Sequence, residues 1–212
     1  MSNSDPLLRK KQTARETQVR LINVFSFGYF GWGNSTEHLV RAIDSVERSR
    51  GFKPPIFVDT RINRSVRAVG FNGNAFGNLV GANRYHWMKR LGNERIRTRK
   101  GPRIKISDPS AAEDLLDLVL EAARDDRRVI FFCECEWPKR AGKVACHRTR
   151  VGTLLRSAAK RRRKTVQTVE WPGGKPQHFD LRISGELYRS LANGRWSLPV
   201  EAARPLAEWA GI

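Results

Sequence analysis

The chain has 212 residues, 40% of them hydrophobic, which is long enough and apolar enough for one domain with a buried core. Its longest apolar runs are too short to span a bilayer, and the polar first 20 residues contain no apolar stretch of signal-peptide length, so we expect a cytoplasmic protein without a membrane partner. Forty Lys and Arg against 21 Asp and Glu give a formal net charge of +19, which favours nucleic acid as the partner because neutralised phosphates release condensed counterions.

The first elements predicted are a basic arm and a strand. Residues 1–19 carry several basic side chains and few apolar ones, and we expect a flexible arm that precedes an α/β domain over 20–183. Val19–Phe25 predicts the first strand, which ends in the run Ser26–Tyr29.

A helix and a second strand follow. Asn34, with Glu37 three residues later, resembles a capping box, and it predicts a helix that ends near Gly51. Pro54–Asp59 is then a short apolar run typical of a buried strand, and Thr60 and Arg61 follow it.

The middle of the chain predicts a long irregular connection. The stretch 70–83 is rich in Gly and Asn, and such connections in compact domains usually have a function. From Lys89 to Lys105 the chain carries eight basic residues and a single acid, Glu94.

The second half predicts two helices around a central strand. Ser110 and Glu113 predict the cap of one helix, Arg127–Phe132 predicts the central strand, and a further helix starts near His147 or Arg148. The strands predicted over 165–171 and 178–183, joined by a Pro-Gly-Gly turn, form a hairpin, and 184–212 is a C-terminal helical extension. The fold class is therefore α/β, a three-layer sandwich with a mainly parallel sheet plus a C-terminal hairpin and short helix.

Unusual residues follow three of the predicted strands. The ends are Ser26–Tyr29, Asp59–Arg61 and Cys133–Glu136. Because ligands of parallel sheets bind at the carboxyl ends of the strands, we expect these residues to form one site.

The cysteines are the most concentrated feature of this site. All three lie between Cys133 and Cys146, an odd and local set that does not resemble a disulfide framework. A thiol at Cys146, at a helix start beside Arg148, is expected to have a depressed pKa, so Cys146 is a candidate nucleophile and Arg148 a candidate anion ligand. Cys133 and Cys135 have one residue between them and face the same side if the strand continues.

The same residues allow two other interpretations. Cys133, Cys135, Cys146 and His147 offer four ligands for tetrahedral zinc or part of an iron–sulfur site, although the C-x-C spacing is tighter than usual. The sequence favours neither cofactor. Buried, inert cysteines are the remaining alternative.

The second strand end also has two interpretations. Asp59 is a candidate general base or a partner that orients His147. Alternatively, Asp59 and Arg61 form a salt bridge that holds the loops in place.

Basic and aromatic residues together predict a nucleic-acid surface. Rings such as Trp87 could stack on single-stranded or flipped bases while cations contact phosphates, although most large rings belong to the core. The candidate phosphate-binding residues are Lys89, Arg90, Arg95, Arg97, Arg99, Lys100, Arg161, Arg162 and Arg163.

Four motifs resemble those of the bacterial domain-of-unknown-function family 488. They are Phe25-Ser26-Phe27-Gly28-Tyr29, Asp59-Thr60-Arg61 with Ser65, Leu91-Gly92-Asn93, and Cys133-x-Cys135 followed by Cys146-His147-Arg148. The resemblance spans roughly residues 20–170 and implies a three-layer α/β fold with its site at these strand ends. It supplies neither a reaction nor a substrate. We predict an anion-binding pocket at these strand ends, formed by Arg148, Arg61, Gly28, Tyr29 and Ser65. Thr60 departs from the family pattern, which has Val there.

Two classes of function are consistent with these observations. One is a thiol-dependent enzyme acting on a nucleotide or nucleic acid, with Cys146, His147 and Asp59 as the catalytic residues. The other is a non-catalytic nucleic-acid-binding protein that recognises a modified or flipped base, with structural or metal-binding cysteines. A subunit that docks an acidic protein is a third alternative.

Overall fold

Seven strands are present in the computed structural model, which describes residues 21–30, 32–34, 36–136, 138–140 and 143–171. The strands are β1 (Ile22–Gly28), β2 (Lys53–Asp59), β3 (Tyr85–Trp87), β4 (Arg127–Cys133), β5 (Lys139–Arg140), β6 (Lys143–Val144) and β7 (Val166–Glu170). Five of them form one parallel sheet in the order β3-β2-β4-β1-β7, and β5 and β6 form a separate antiparallel pair.

Helices connect the strands of the large sheet. They are α1 (Thr36–Ser49), α2 (Ala75–Val80), α3 (Arg95–Thr98), α4 (Ala111–Arg124) and α5 (Arg148–Arg161). Short 3₁₀ turns occupy Val69–Phe71 and Lys89–Leu91.

Successive strand residues point to opposite faces of the sheet, and this alternation builds two cores. Val58 packs in one core with residues of α4 and α5, whereas its neighbour Phe57 packs in the other with residues of α1 and α2. In β4, Phe131 packs in the first of these cores and Ile130 packs in the second. The α/β class and the three-layer arrangement predicted from the sequence are therefore confirmed, with a sheet that is parallel throughout the described strands.

The sheet order brings the three predicted strand ends to one edge. Strand β4 lies between β1 and β2, so that Cys133 is in register with Gly28, and Phe132 with Asp59. The backbone hydrogen bonds between these segments continue past the strand ends. The Thr60 amide donates to the Phe132 carbonyl at 3.0 Å, and the Tyr29 amide donates to the Cys133 carbonyl at 3.0 Å.

The predicted cap of α4 differs from the observed one. Ser110 has helical backbone angles and makes no side-chain cap hydrogen bond. Instead, the Asp108 carboxylate accepts both the amide of Ser110, at 2.9 Å, and its hydroxyl, at 2.6 Å. The prediction was wrong because it ignored this acid two residues upstream, which competes successfully for the free amides at the helix start.

Two further elements differ from the prediction. The connection 70–83 contains the helix α2 and leads into the edge strand β3, which the sequence did not predict. Strand β7, predicted as the first arm of a hairpin, pairs in parallel with β1.

Several predicted segments lie outside the described residues: the basic arm over 1–19, the second hairpin arm over 178–183 and the extension over 184–212. Among the helices that the structure describes, none is both long and apolar enough to cross a membrane.

Candidate functional site

The cysteines and His147 converge at the carboxyl edge of the sheet. The Sγ atoms of Cys133, at the end of β4, and of Cys146, just before α5, lie 3.1 Å apart, and both residues are buried. The backbone amide of Arg148 donates to the Cys146 sulfur at 3.4 Å, so this thiol takes one of the free amides of the helix N-terminus. The ligand atoms of Cys133, Cys146 and His147 all lie within 4.8 Å of one another.

The hydrogen bonds of His147 fix its tautomer. Its Nε2 lies 3.0 Å from the backbone carbonyl oxygen of Thr60, which can only accept, so Nε2 carries the proton and donates it. The other ring nitrogen, Nδ1, therefore presents its lone pair, and it lies 3.8 Å from the Cys146 sulfur. Burial lowers the pKa of His147, which keeps the ring neutral.

The third sulfur, Cys135, is exposed, unlike the other two. Hydrogen bonds from the Cys133 and Cys146 thiols hold the pKa of Cys135 well below its usual range. For Cys146, the hydrogen bond with Cys133 lowers the pKa, but the bond with Cys135 and burial outweigh it and raise the pKa to about 11. Cys146, the predicted nucleophile, is thus 2% exposed and protonated at neutral pH.

Arg148 is a buried cation with two unpartnered nitrogens. The side chain is 1% exposed, and its Nη2 contacts the Glu136 carbonyl and the Glu170 carboxylate, each at 3.2 Å. Its Nε and Nη1 are also buried and have no hydrogen-bond partner among the described residues. Burial lowers the pKa of Arg148, but the charges of Cys133 and Glu170 more than compensate and raise it, so the guanidinium stays charged.

The close approach of this loop to β1 requires a glycine at position 28. A Cβ on Gly28 would clash with the Cys135 carbonyl and would lie 2.6 Å from Arg148 Nη1 and 2.8 Å from the Glu136 carbonyl. Gly28 therefore contributes space, which lets the cysteine loop close over the strand end. We call Cys133, Cys135, Cys146, His147 and Arg148 the open cluster.

A second buried polar cluster lies beside it on the same edge. All three guanidinium nitrogens of Arg61 have acceptors: Nε and Nη2 donate to Asp59, and Nη1 donates to the Tyr29 hydroxyl at 3.0 Å and the Phe71 carbonyl at 2.8 Å. The Tyr85 hydroxyl donates to Asp59 at 2.8 Å. We call Asp59, Arg61, Tyr29 and Tyr85 the closed cluster.

The predicted site residues are thus divided between two networks. Asp59 pairs with Arg61 and not with His147, which is oriented by Thr60 instead. Arg61 has no free nitrogen to offer an anion. Ser65 lies in an exposed loop, where its amide donates to the Asn63 side chain.

Sequence reasoning missed the role of two residues in the open cluster. Thr60 follows β2 directly, and its hydroxyl, which donates to the Phe132 carbonyl at 2.9 Å, also lies 3.1 Å from His147 Nε2. Alternation along the strand was the available signal, because it turns Thr60 away from the side taken by Asp59 and Arg61. Glu170, the acid that faces Arg148, is 22 residues further along the chain and left no local signal.

The predicted phosphate-binding residues fall into two groups. Four of them form ion pairs: Arg90 with Asp108 and Asp114, Arg97 with Glu94, Arg161 with Glu113, and Arg162 with Asp117. The other five have no acidic partner among the described residues: Lys89, Arg95, Arg99, Lys100 and Arg163.

Most of the aromatic residues predicted to stack on bases belong to the core. Tyr29 stacks on Phe71 with ring centroids 3.9 Å apart, and Phe71 stacks on Phe76 at 4.9 Å, all three buried. Trp87 is exposed, with the Arg64 guanidinium 4.0 Å from its ring centroid.

A basic groove lies at the other end of α5. It has a volume of about 420 Å³ and is lined by Arg156, Lys160, Arg163, Lys164, Thr165 and Val166, none of them acidic. Because Val166 begins β7, this basic groove is at the amino edge of the sheet, opposite the open cluster.

Comparison of the chain with models of known families, with curated proteins and with solved structures gives no match in any of the three. The resemblance to family 488 therefore remains a prediction based on the motifs alone.

Proposed function

We propose that the protein binds nucleic acid and that the basic groove holds part of the phosphate backbone. The observation that carries this proposal is the uneven pairing of the basic run over 160–164. Acids of α4 neutralise Arg161 and Arg162, whereas the cations that line the basic groove have no acidic partner among the described residues. Four cations without an acidic partner in the described part of the chain therefore share one concave surface.

The spacing of the groove cations suits a chain of phosphates better than a single small anion. Arg156 and Lys160 lie one turn apart on α5, about 6 Å along its axis, over which one DNA strand carries about two phosphates. Arg163 and Lys164 continue the same surface after the helix ends. The side chains are long and solvated, so they can follow a backbone without a fixed geometry.

Charge density alone recognises phosphate and not base sequence. The basic groove offers no aromatic ring, and Trp87 is the exposed ring nearest to unpaired cations such as Lys89, 5.7 Å from its centroid. We therefore propose binding with strong salt dependence and little sequence preference.

A matched pair of double variants tests the role of the basic groove. Lys160→Gln/Arg163→Gln removes two groove cations, and Arg161→Gln/Arg162→Gln removes the same charge from the paired neighbours. Binding of labelled single-stranded and duplex oligonucleotides is measured by fluorescence anisotropy over a salt series. For duplex DNA, the groove variant should reduce the slope of log K against log salt by about 2, and the paired variant should leave it close to wild type.

Two results would contradict the proposal. One is wild-type binding that is absent or does not change with salt. The other is an equal loss of slope in both double variants, which would mean that the groove cations contribute only through the net charge of the chain and not as a binding site.

A further inference from the structure

We propose that the open cluster is a mononuclear metal site, in which the sulfurs of Cys133, Cys135 and Cys146 and the Nδ1 atom of His147 bind one Zn²⁺ ion. Three thiolates and one imidazole are an established structural zinc set. This inference is independent of nucleic-acid binding, because the 14 residues of α5, about 21 Å in length, separate the open cluster from the basic groove.

The distances between the donor atoms are close to those of a tetrahedral site. With Zn–S bonds of about 2.3 Å, tetrahedral ligands lie about 3.8 Å from one another. The Cys146 sulfur and His147 Nδ1 are 3.8 Å apart, and the Cys133 and Cys146 sulfurs are 3.1 Å apart. A side-chain rotation that separates these two sulfurs by about 0.7 Å is therefore enough to admit the ion.

Cys135 completes the set from the solvent side. The Cys135 side chain is exposed, and its sulfur lies outside the group of Cys133, Cys146 and His147 whose ligand atoms are within 4.8 Å of one another, so the proposed site needs this sulfur to move inward. Strand β4 ends at Cys133, so Cys135 stands in the loop that follows and strand alternation does not fix the direction of its side chain.

The orientation of His147 is the one that metal-binding histidines adopt. Such residues donate the proton of one ring nitrogen to a carbonyl or carboxylate and coordinate through the other. Here the Thr60 carbonyl accepts from Nε2, while Nδ1 faces the sulfurs with its lone pair. Without a metal, this buried lone pair has only a thiol 3.8 Å away, which is long for a hydrogen bond.

Arg148 balances the charge that this site would carry. Three thiolates and a dication leave one negative charge, and the buried guanidinium supplies one positive charge beside it. The Nε and Nη1 atoms of Arg148 lack a partner among the described residues. On binding, the thiol protons pass to solvent, and the guanidinium charge balances the negative charge that the loaded site then carries.

Other uses of the same residues fit less well. Iron–sulfur clusters are held most often by four cysteines, whereas the ligand atoms that lie within 4.8 Å of one another here belong to two cysteines and one histidine, a span that suits a single ion. A disulfide would use two sulfurs and leave the third cysteine and the His147 lone pair unexplained. All three cysteines are free in the structure.

Metal content and cobalt substitution of the full chain test the inference. Reduced protein is purified without a metal-affinity step, analysed for zinc, stripped with a chelator and titrated with Co²⁺. We expect one ion per chain, a sulfur-to-cobalt charge-transfer absorption in the near ultraviolet and the intense visible bands of tetrahedral cobalt. His147→Gln should weaken Co²⁺ binding at least about tenfold, and the matched control His86→Gln, in β3, should bind as wild type.

The outcome that overturns the inference is folded, reduced wild-type protein that gives no charge-transfer band and whose three thiols react with a disulfide reagent equally fast with and without Zn²⁺. Should His147→Gln not fold, the wild-type titration decides the question alone. Loss of oligonucleotide binding would not affect these readouts, so failure of the two proposals can be told apart.

Discussion

Two polar clusters are buried side by side at the carboxyl edge of this sheet, and each is built around an arginine. In the closed cluster every nitrogen of Arg61 has an acceptor, and Asp59 supplies the opposite charge within 2.6 Å. In the open cluster only Nη2 of Arg148 has acceptors among the described residues, and the partner of His147 Nδ1 is a thiol 3.8 Å away.

The difference agrees with a structural role for the closed cluster and with the metal site proposed for the open cluster. Buried polar groups in proteins are almost always hydrogen-bonded, and exceptions usually mark a site for a ligand, ion or water. The closed cluster is complete without any ligand, so its role is to hold the loops after β1 and β2. The open cluster leaves two buried nitrogens of Arg148 without a partner among the described residues, which agrees with the metal site proposed above.

The largest effect is expected from Asp59→Asn, which breaks the closed cluster. The change leaves the Arg61 guanidinium buried without a counter-charge, and removing one partner of a buried pair costs about 3–5 kcal/mol. Urea unfolding measures this loss. The control is Asp125→Asn, which removes an exposed partner of Lys53 and Arg127 and should cost less than about 1 kcal/mol. Equal losses in the two variants would contradict the distinction between the clusters.

A smaller effect on stability, but a clear one on metal binding, is expected from Arg148→Met. Loss of the guanidinium leaves the negative charge of a zinc-loaded open cluster unbalanced, and Zn²⁺ affinity should fall about 10–100-fold, as for other residues that support metal ligands. Competition with a chromophoric chelator measures the affinity. Arg150→Met, at an exposed position in the first turn of α5, is the control. An unchanged affinity for Arg148→Met would show that Arg148 has no electrostatic role at the metal.

The smallest effect is a pH dependence within the closed cluster. Burial and the Asp59 charge raise the pKa of Tyr85 from 10.0 to about 12. Tyr85 ionises less readily in the folded state than in the unfolded state. The stability that this difference contributes is fully present below pH 10 and is lost as the pH rises to about 12. Between pH 10 and about 12, the free energy of unfolding measured in urea should therefore fall less for Tyr85→Phe than for wild type. Ionisation of Tyr85 at its ordinary pKa, seen by phenolate absorbance, would contradict the buried contact with Asp59.

Much of the fold was predictable because it depends on local patterns. The apolar runs of β1, β2 and β4 and the order of the elements were enough to predict a parallel sheet and to bring three strand ends together. Strand β3 was not predictable in this way, since it has three residues and none of them is fully buried.

The site was predictable as a set of residues but not as a network. Cysteine clustering identified the open cluster. Strand alternation separates Thr60 from Asp59, but it does not show that the Thr60 carbonyl accepts the hydrogen bond of His147 Nε2. The pairing of Arg161 and Arg162 was hidden for the same reason, because their partners, Glu113 and Asp117, are more than 40 residues away in the chain. Such contacts depend on how two helices pack, which local periodicity does not encode.

X-ray absorption at the zinc edge of the metal-loaded full chain tests the central claim most directly, because it counts the atoms around the ion. The open cluster predicts three sulfur atoms at about 2.3 Å and one nitrogen at about 2.0 Å. A first shell of nitrogen and oxygen alone would mean that the ion binds elsewhere, and would contradict the assignment of Cys133, Cys135, Cys146 and His147 as its ligands.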